Sequence, residues 1–288
     1  MNRLTFQRAA LFAACAACCL AARAADWSDT SIGYRWGNKF AEPFEGDSIP
    51  KSIFDFQHAS GYKYGTNFFN VDMLLSSSKD PSAPGSSAGA QETYVVYRHM
   101  LDLGKVTGKN LGWGPIRGYG ITAGFDYNAK TDAGYNSKKR MPLLGPTVQM
   151  EVPGFLNISV LELWESNAPY NDFTQTATPR YSYKPHPMLS LAFGINFNVG
   201  PVPLAYEGFA VYIASKGTNE FGGPTAPETN WDSQLMYDLS PVFGAGPKTF
   251  RVGYEYQFWK NKFGNPASGP AGDGAYAKTN MIRLDYHF

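Results

Sequence analysis

Arg35, Asp55, Asp72, Asp126, Arg251, Glu255, Arg283 and Asp285 share one setting. Each is flanked on both sides by apolar or aromatic residues, as in Tyr34-Arg35-Trp36, Phe54-Asp55-Phe56 and Tyr254-Glu255-Tyr256. In a strand, successive side chains turn to opposite faces, so each charge stands on the polar face of a segment whose other face is apolar. If such segments close into a barrel with the apolar face outward, these charges line its bore. Fixed charges of both signs along a narrow passage favour a small polar, roughly uncharged solute over a plain ion path. The competing outcome is that the charges pair with one another and merely fill the interior. Glu162, Glu207 and Arg98 belong to the same set if their strands, whose parity is ambiguous, turn the same way.

The elements that must hold these residues are legible from alternation. In the closing run 279–288, Ile282, Leu284, Tyr286 and Phe288 fall on one parity and Met281, Arg283, Asp285 and His287 on the other. The strongest pattern sets Leu189, Leu191, Phe193, Ile195 and Phe197 against Ser190, Ala192, Gly194, Asn196 and Asn198. Twelve such segments can be read, near residues 31–37, 54–57, 69–75, 92–103, 118–127, 148–152, 155–165, 189–198, 204–216, 231–239, 250–258 and 279–288. Connections after odd segments are long and polar, while those after even segments are mostly tight Gly/Pro turns, with 103–115 the longer exception. That asymmetry predicts an all-β, antiparallel up-and-down transmembrane β-barrel of about twelve strands with both termini on the short-turn, periplasmic side. Tyr34, Trp36, Tyr119, Tyr127, Phe258, Trp259, Tyr286 and Phe288 stand where aromatic girdles are expected at the membrane interfaces.

The amino terminus predicts export. Arg3 and Arg8 precede an apolar run from Ala9 to Ala22, and Ala22-Arg23-Ala24 offers a cleavage site, so 1–24 reads as a signal peptide and 25–288 as one barrel domain. Ala13-Ala14-Cys15 is a partial lipobox, the weaker reading of the same segment. Cys15, Cys18 and Cys19 all lie within it, so disulfides cannot supply the stability of the exported chain. Without Arg3, Arg8 and Arg23 the chain has 22 basic and 24 acidic residues, a balance that does not point to nucleic acid. After residue 24 no apolar run is long enough for a membrane helix. With 15% aromatic residues and 30 glycines, the composition fits strands that are apolar on one face only.

Ile53-Phe54-Asp55-Phe56, followed by Gly61 and then Phe69-Asn70-Val71-Asp72, resembles the early strand pair of the nucleoside-specific channel-forming (Tsx/OmpK-like) outer-membrane proteins. The terminal Phe288, with Tyr286 and Leu284, resembles the carboxy-terminal signal read by the outer-membrane assembly machinery. The resemblance implies a narrow channel in the bacterial outer membrane whose partner is a nucleoside-like solute, its base stacked on lumen aromatics and its ribose held by polar groups. Asp55 faces the lumen only if Phe54 and Phe56 face lipid, so the stacking platform must lie elsewhere, with Phe68 and Tyr94 the candidates.

An enzyme is not expected. His58, His99, His186 and His287 stand in no G-x-S-x-G or H-E-x-x-H context and show no metal-ligand spacing, so neither catalytic residues, a metal nor a cofactor is assigned. The alternatives kept open are an outer-membrane lipid hydrolase or protease, and a non-conducting adhesive or structural barrel whose loops, such as 166–184, grip a partner.

Overall fold

The computed structural model describes residues 25–46, 48–83, 86–134, 136–171 and 174–288. The expected signal peptide, 1–24, lies outside the described residues. Twelve long strands, ten to fifteen residues each, make the barrel: β1 (Trp27–Phe40), β2 (Ile49–Tyr62), β3 (Gly65–Ser76), β4 (Gln91–Asp102), β5 (Ile116–Lys130), β6 (Arg140–Met150), β7 (Gly154–Leu163), β8 (His186–Val199), β9 (Val202–Ile213), β10 (Glu228–Asp238), β11 (Phe250–Lys260) and β12 (Tyr276–His287). Each pairs antiparallel with its neighbours in sequence, and β12 returns to β1 from Ser31 opposite His287 to Trp36 opposite Ile282. The sheet is therefore closed, as the alternation and loop lengths predict.

The wall is inverted relative to a water-soluble protein. On β12, Ile282, Leu284 and Tyr286 are exposed on the outside, while Met281, Arg283 and Asp285 are buried within. On β2, Phe54 and Phe56 point out, and Lys51, Ile53 and Asp55 point in. On β10, Trp231 and Leu235 are exposed, and Asn230, Asp232 and Met236 are buried. Water would penalise that arrangement, whereas a bilayer rewards it. A closed barrel also leaves no unpaired strand edge in the hydrocarbon. No helix among the described residues is long and apolar enough to cross a membrane.

The connections 41–48, 77–90, 131–139, 164–185, 214–227 and 261–275 emerge at one end, the loop rim. The other end, the terminal rim, carries Phe288 and the connections 63–64, 103–115, 151–153, 200–201 and 239–249. The two longer ones there are ordered. A short helix, α1 (Leu103–Thr107), is capped by Asp102, whose carboxylate accepts the Lys105 backbone N–H at 3.0 Å. A 3-10 turn, Ser240–Phe243, begins the other.

The structure departs from the sequence expectation at three places. The sixth strand starts at Arg140, not near Val148, and includes Pro142 and Pro146 on its outer face. Proline lacks an N–H and reads as punctuation in a sequence; the β6–β7 ladder is indeed interrupted between Leu144 and Thr147, where Gly145 and Pro146 fall. Trp259 is not a girdle residue. It lies on the inward parity of β11, and its indole N–H donates to Glu228 at 2.7 Å. Glu162 faces outward, because its neighbours Leu161 and Leu163 supply the buried face of β7.

Candidate functional site: a charge-lined bore

The site begins with a clash that the sheet has to resolve. Arg35 on β1 and Arg283 on β12 are direct cross-strand partners on the inner wall. Like charges in that relation destabilise a sheet. Carboxylates from four strands offset it. Glu255 accepts from Arg35 Nη1 at 3.0 Å and from Arg283 Nη1 at 3.1 Å. Asp55 also contacts both, with its Oδ1 3.4 Å from Arg35 Nε and its Oδ2 3.5 Å from Arg283 Nη2. Asp285 receives Arg283 Nε at 2.9 and 3.0 Å, and Asp72 pairs with Arg35 Nη2.

Local backbone makes the room. Gly33 lies between Asp55 on β2 and Asp285 on β12 in one cross-strand row. A Cβ there would run into the carboxylates of both, so glycine at this position lets two acids lean towards the arginine pair. Each arginine presents a planar fork of donors that suits several carboxylates at once. The knot is closed to solvent: Glu255 is 0% exposed, Arg283 2% and Arg35 7%.

Smaller pairs continue around the wall. Arg98 Nη1 lies 2.7 Å from Asp126 Oδ1, and Arg251 Nη2 donates to Glu207 at 2.7 Å. Gln257 donates to Asp232 at 2.8 Å. Two aromatic side chains share this inner face, Phe68 three residues into β3 from the terminal rim and Phe209 four residues from the loop-rim end of β9. Phe68, on the parity of Asn70 and Asp72, and Phe209, on the parity of Glu207, are each 38% exposed. Tyr94 is also inward, but its hydroxyl donates to Asp126 at 3.0 Å and its ring lies beneath Lys139.

Towards the loop rim the bore is filled. Lys51, Lys130 and Lys262 surround Glu42 from the β1–β2 connection, with Asp80 and Glu92 beside them. Lys130 reaches Asp80 at 2.8 Å, Lys262 reaches Glu42 at 3.0 Å, and Lys51 pairs with Glu42. Burial alone would push the Glu42 carboxyl up, but Lys130, Lys262 and Lys51 outweigh it and hold it well below the ordinary range. A second cluster sets Lys216 2.7 Å from Glu165, with His186 Nε2 at 3.6 Å from the same carboxylate. Burial opposes ionisation of Glu165 too, and Lys216 with Lys139 reverses it, so this acid is also held low. Beneath these caps, Met141, Leu143, Leu161, Leu163, Met188 and Ile213 form an apolar cluster on the inner wall.

All eight charged residues read from the sequence as lumen-facing are on the inner wall, and all are engaged in ion pairs with one another or with Arg98 and Glu207. The loop-rim cluster was not foreseen. Glu42 and Asp80 lie in connections, where no alternation marks a face. Asp232 was also missed, although Asn230, Asp232 and Gln234 against Trp231 and Leu235 carries the signal. Three histidines bond separate partners: His58 bonds Thr30 at 2.8 Å, His99 bonds Asn67 at 3.0 Å, and His287 meets Asp29 at 2.7 Å.

No protein-family model matches the chain, and no curated protein matches its sequence. Among solved structures it is similar to the KdgM porin, at 10% identity over 90% of this chain and 99% of that one, with a TM-score of 0.42. It is similar also to the translocator domain of the autotransporter NalP from Neisseria meningitidis, at 11% identity over 99% and 96% of the two chains, with a TM-score of 0.44. Against Pseudomonas aeruginosa OccK3 (OpdO) the identity is 12% over 92% and 96%, with a TM-score of 0.25.

Proposed function

We propose that this barrel is an outer-membrane channel for small polar solutes, with nucleosides its preferred class. The observation that carries the reading is the arginine knot. Two guanidiniums face four carboxylates within the bore, a formal charge of −2 with donors and acceptors of both kinds. Such a ring disfavours a bare anion and suits a neutral solute rich in hydroxyls. Phe68, directly across from Arg98, and Phe209, two residues along β9 from Glu207, each offer an exposed ring to a nucleobase beside a polar group for the sugar. The nucleoside preference extends the resemblance of the Phe54–Asp72 strand pair. Passage requires both the loop-rim ion pairs around Glu42 and the solvent-closed arginine knot to part, so the open state is brief and its conductance small. Liposome swelling with nucleosides, free sugars and amino acids tests this. Faster swelling in nucleosides supports it, and equal rates for all solutes leave a channel without that preference.

A non-conducting barrel is the second reading. It is favoured by the complete burial of Glu255 and near-complete burial of Arg283. Absence of swelling in every solute would select it.

A further inference from the structure

The outer face near the loop rim carries a cationic cluster that, among the described residues, neither the bore nor any ion pair uses. Arg140 opens β6 on its outward parity and stands directly opposite Tyr127 of β5, whose ring is also exposed. On its other side Arg140 pairs with Ser166 of the 164–185 connection. Arg180, from that same connection, folds back over this point. Its Nη1 donates to Ser166 Oγ at 3.2 Å and to the Lys138 carbonyl at 3.0 Å. Arg180 is thereby brought within electrostatic reach of both Arg140 and its cross-strand partner Tyr127. Among the described residues no carboxylate pairs with either of them; the neighbouring Lys138 is already taken by Asp132. Burial and the nearby Arg140 charge both lower the Arg180 guanidinium, which expresses the same unrelieved repulsion. Glu162, the outward acid of β7, lies level with Leu144, four residues along β6 from Arg140.

We propose that Arg140, Arg180 and Tyr127 form a binding site for the phosphate of a lipid headgroup in the leaflet adjoining the loop rim. The chemistry is matched to that ligand. Planar guanidinium forks bind phosphate oxygens bidentately, and an amphipathic tyrosine at the interface seats the neighbouring acyl–headgroup boundary. The height is matched as well. Pro142 and Leu144 continue the outer face of β6 into the apolar wall, so a lipid whose phosphate sits on the arginines would lay its chains along β6. Basic residues at a membrane surface attract anionic headgroups in this way. The inference is independent of conduction; it needs only that the barrel sits in a bilayer.

The test uses the full-length protein refolded in phosphatidylcholine nanodiscs doped with diphosphoryl lipid A, and counts the lipid A retained per barrel by native mass spectrometry. Wild type is expected to retain it, and the double variant Arg140→Gln/Arg180→Gln to bind about 30-fold more weakly, the loss of two near-surface cations. Excess inorganic phosphate is expected not to displace the lipid. Arg180→Gln alone, in a connection outside the barrel wall, reads the same effect at lower amplitude should the double variant fail to assemble. Equal retention by wild type and variants would overturn the site, and displacement by inorganic phosphate would overturn the lipid as its ligand.

Discussion

Arg35 and Arg283 face each other directly across the ladder that closes the barrel, and Glu255 bonds them both. The two terminal strands are thus joined inside the bore as well as along the backbone. A buried charge that loses its partner costs far more than the pair contributes, because it stays desolvated. Glu255→Gln is therefore expected to destabilise the barrel by roughly 3 kcal/mol. Guanidinium-induced unfolding of the refolded protein in lipid reads this as a lower midpoint. An unchanged midpoint would mean that Asp55, Asp72 and Asp285 suffice for both arginines.

Gly33 is the hinge of the same arrangement. A methyl group there would displace the carboxylates of Asp55 and Asp285. Gly33→Ala is expected to cost about 1–3 kcal/mol by overpacking, even though alanine suits a strand better than glycine does. Equilibrium unfolding beside a control such as Gly246→Ala, where the nearest atom is 3.6 Å from the new methyl, separates crowding from backbone effects. Equal midpoints would remove Gly33 from the account.

The loop-rim cap is expected to resist mild acid. The Glu42 carboxyl is held well below its ordinary range, and Asp80 is held low by Lys51 and Lys130 against the opposing pull of burial. A depressed folded value means that these acids stabilise the cap above their unfolded values of about 4. That contribution is lost only as pH falls through the depressed values. Hydrogen exchange in 41–46 and 77–83 should then be equally protected, after correction for intrinsic rates, from pH 8 to about pH 5, and should rise in stronger acid. Loss of protection near pH 6 would contradict the assignment.

Phe288 closes a run of rings along the terminal rim. Phe243 and Phe250 lie 5.3 Å apart, Phe250 and Tyr286 5.1 Å, and Tyr286 and Phe288 6.0 Å. The Phe288 N–H also donates to the Thr30 carbonyl at 2.9 Å, extending the closing seam by one residue. Deletion of Phe288 should lower the amount of barrel assembled in cells. The fraction with heat-dependent gel mobility measures it, and wild-type levels would show that neither the seam nor assembly needs this residue.

Much of this architecture was legible from alternation, because lipid outside and charge inside impose a period of two on every crossing strand. The closing segment shows it plainly, with Ile282, Leu284 and Tyr286 against Arg283 and Asp285. The pattern failed where other chemistry overrode it. Pro142 and Pro146 concealed most of β6, since they read as loop residues yet sit on an outer face. Trp259 looked like a girdle residue, but its indole N–H is drawn inward by Glu228. The pairing of the bore charges could not be seen at all, because Arg35 and Glu255 meet only after the ends of the chain are brought together. The cap around Glu42 lay in connections, where sequence carries no face.

Passage through the bore can be read in single-channel recordings of the refolded protein in a planar bilayer. Small, brief openings are expected, weakly cation-selective from the acidic excess around Arg35 and Arg283, and reduced when a nucleoside is added. Openings unaffected by any nucleoside would contradict the substrate class, and a bilayer that stays silent with correctly folded protein would contradict the channel itself.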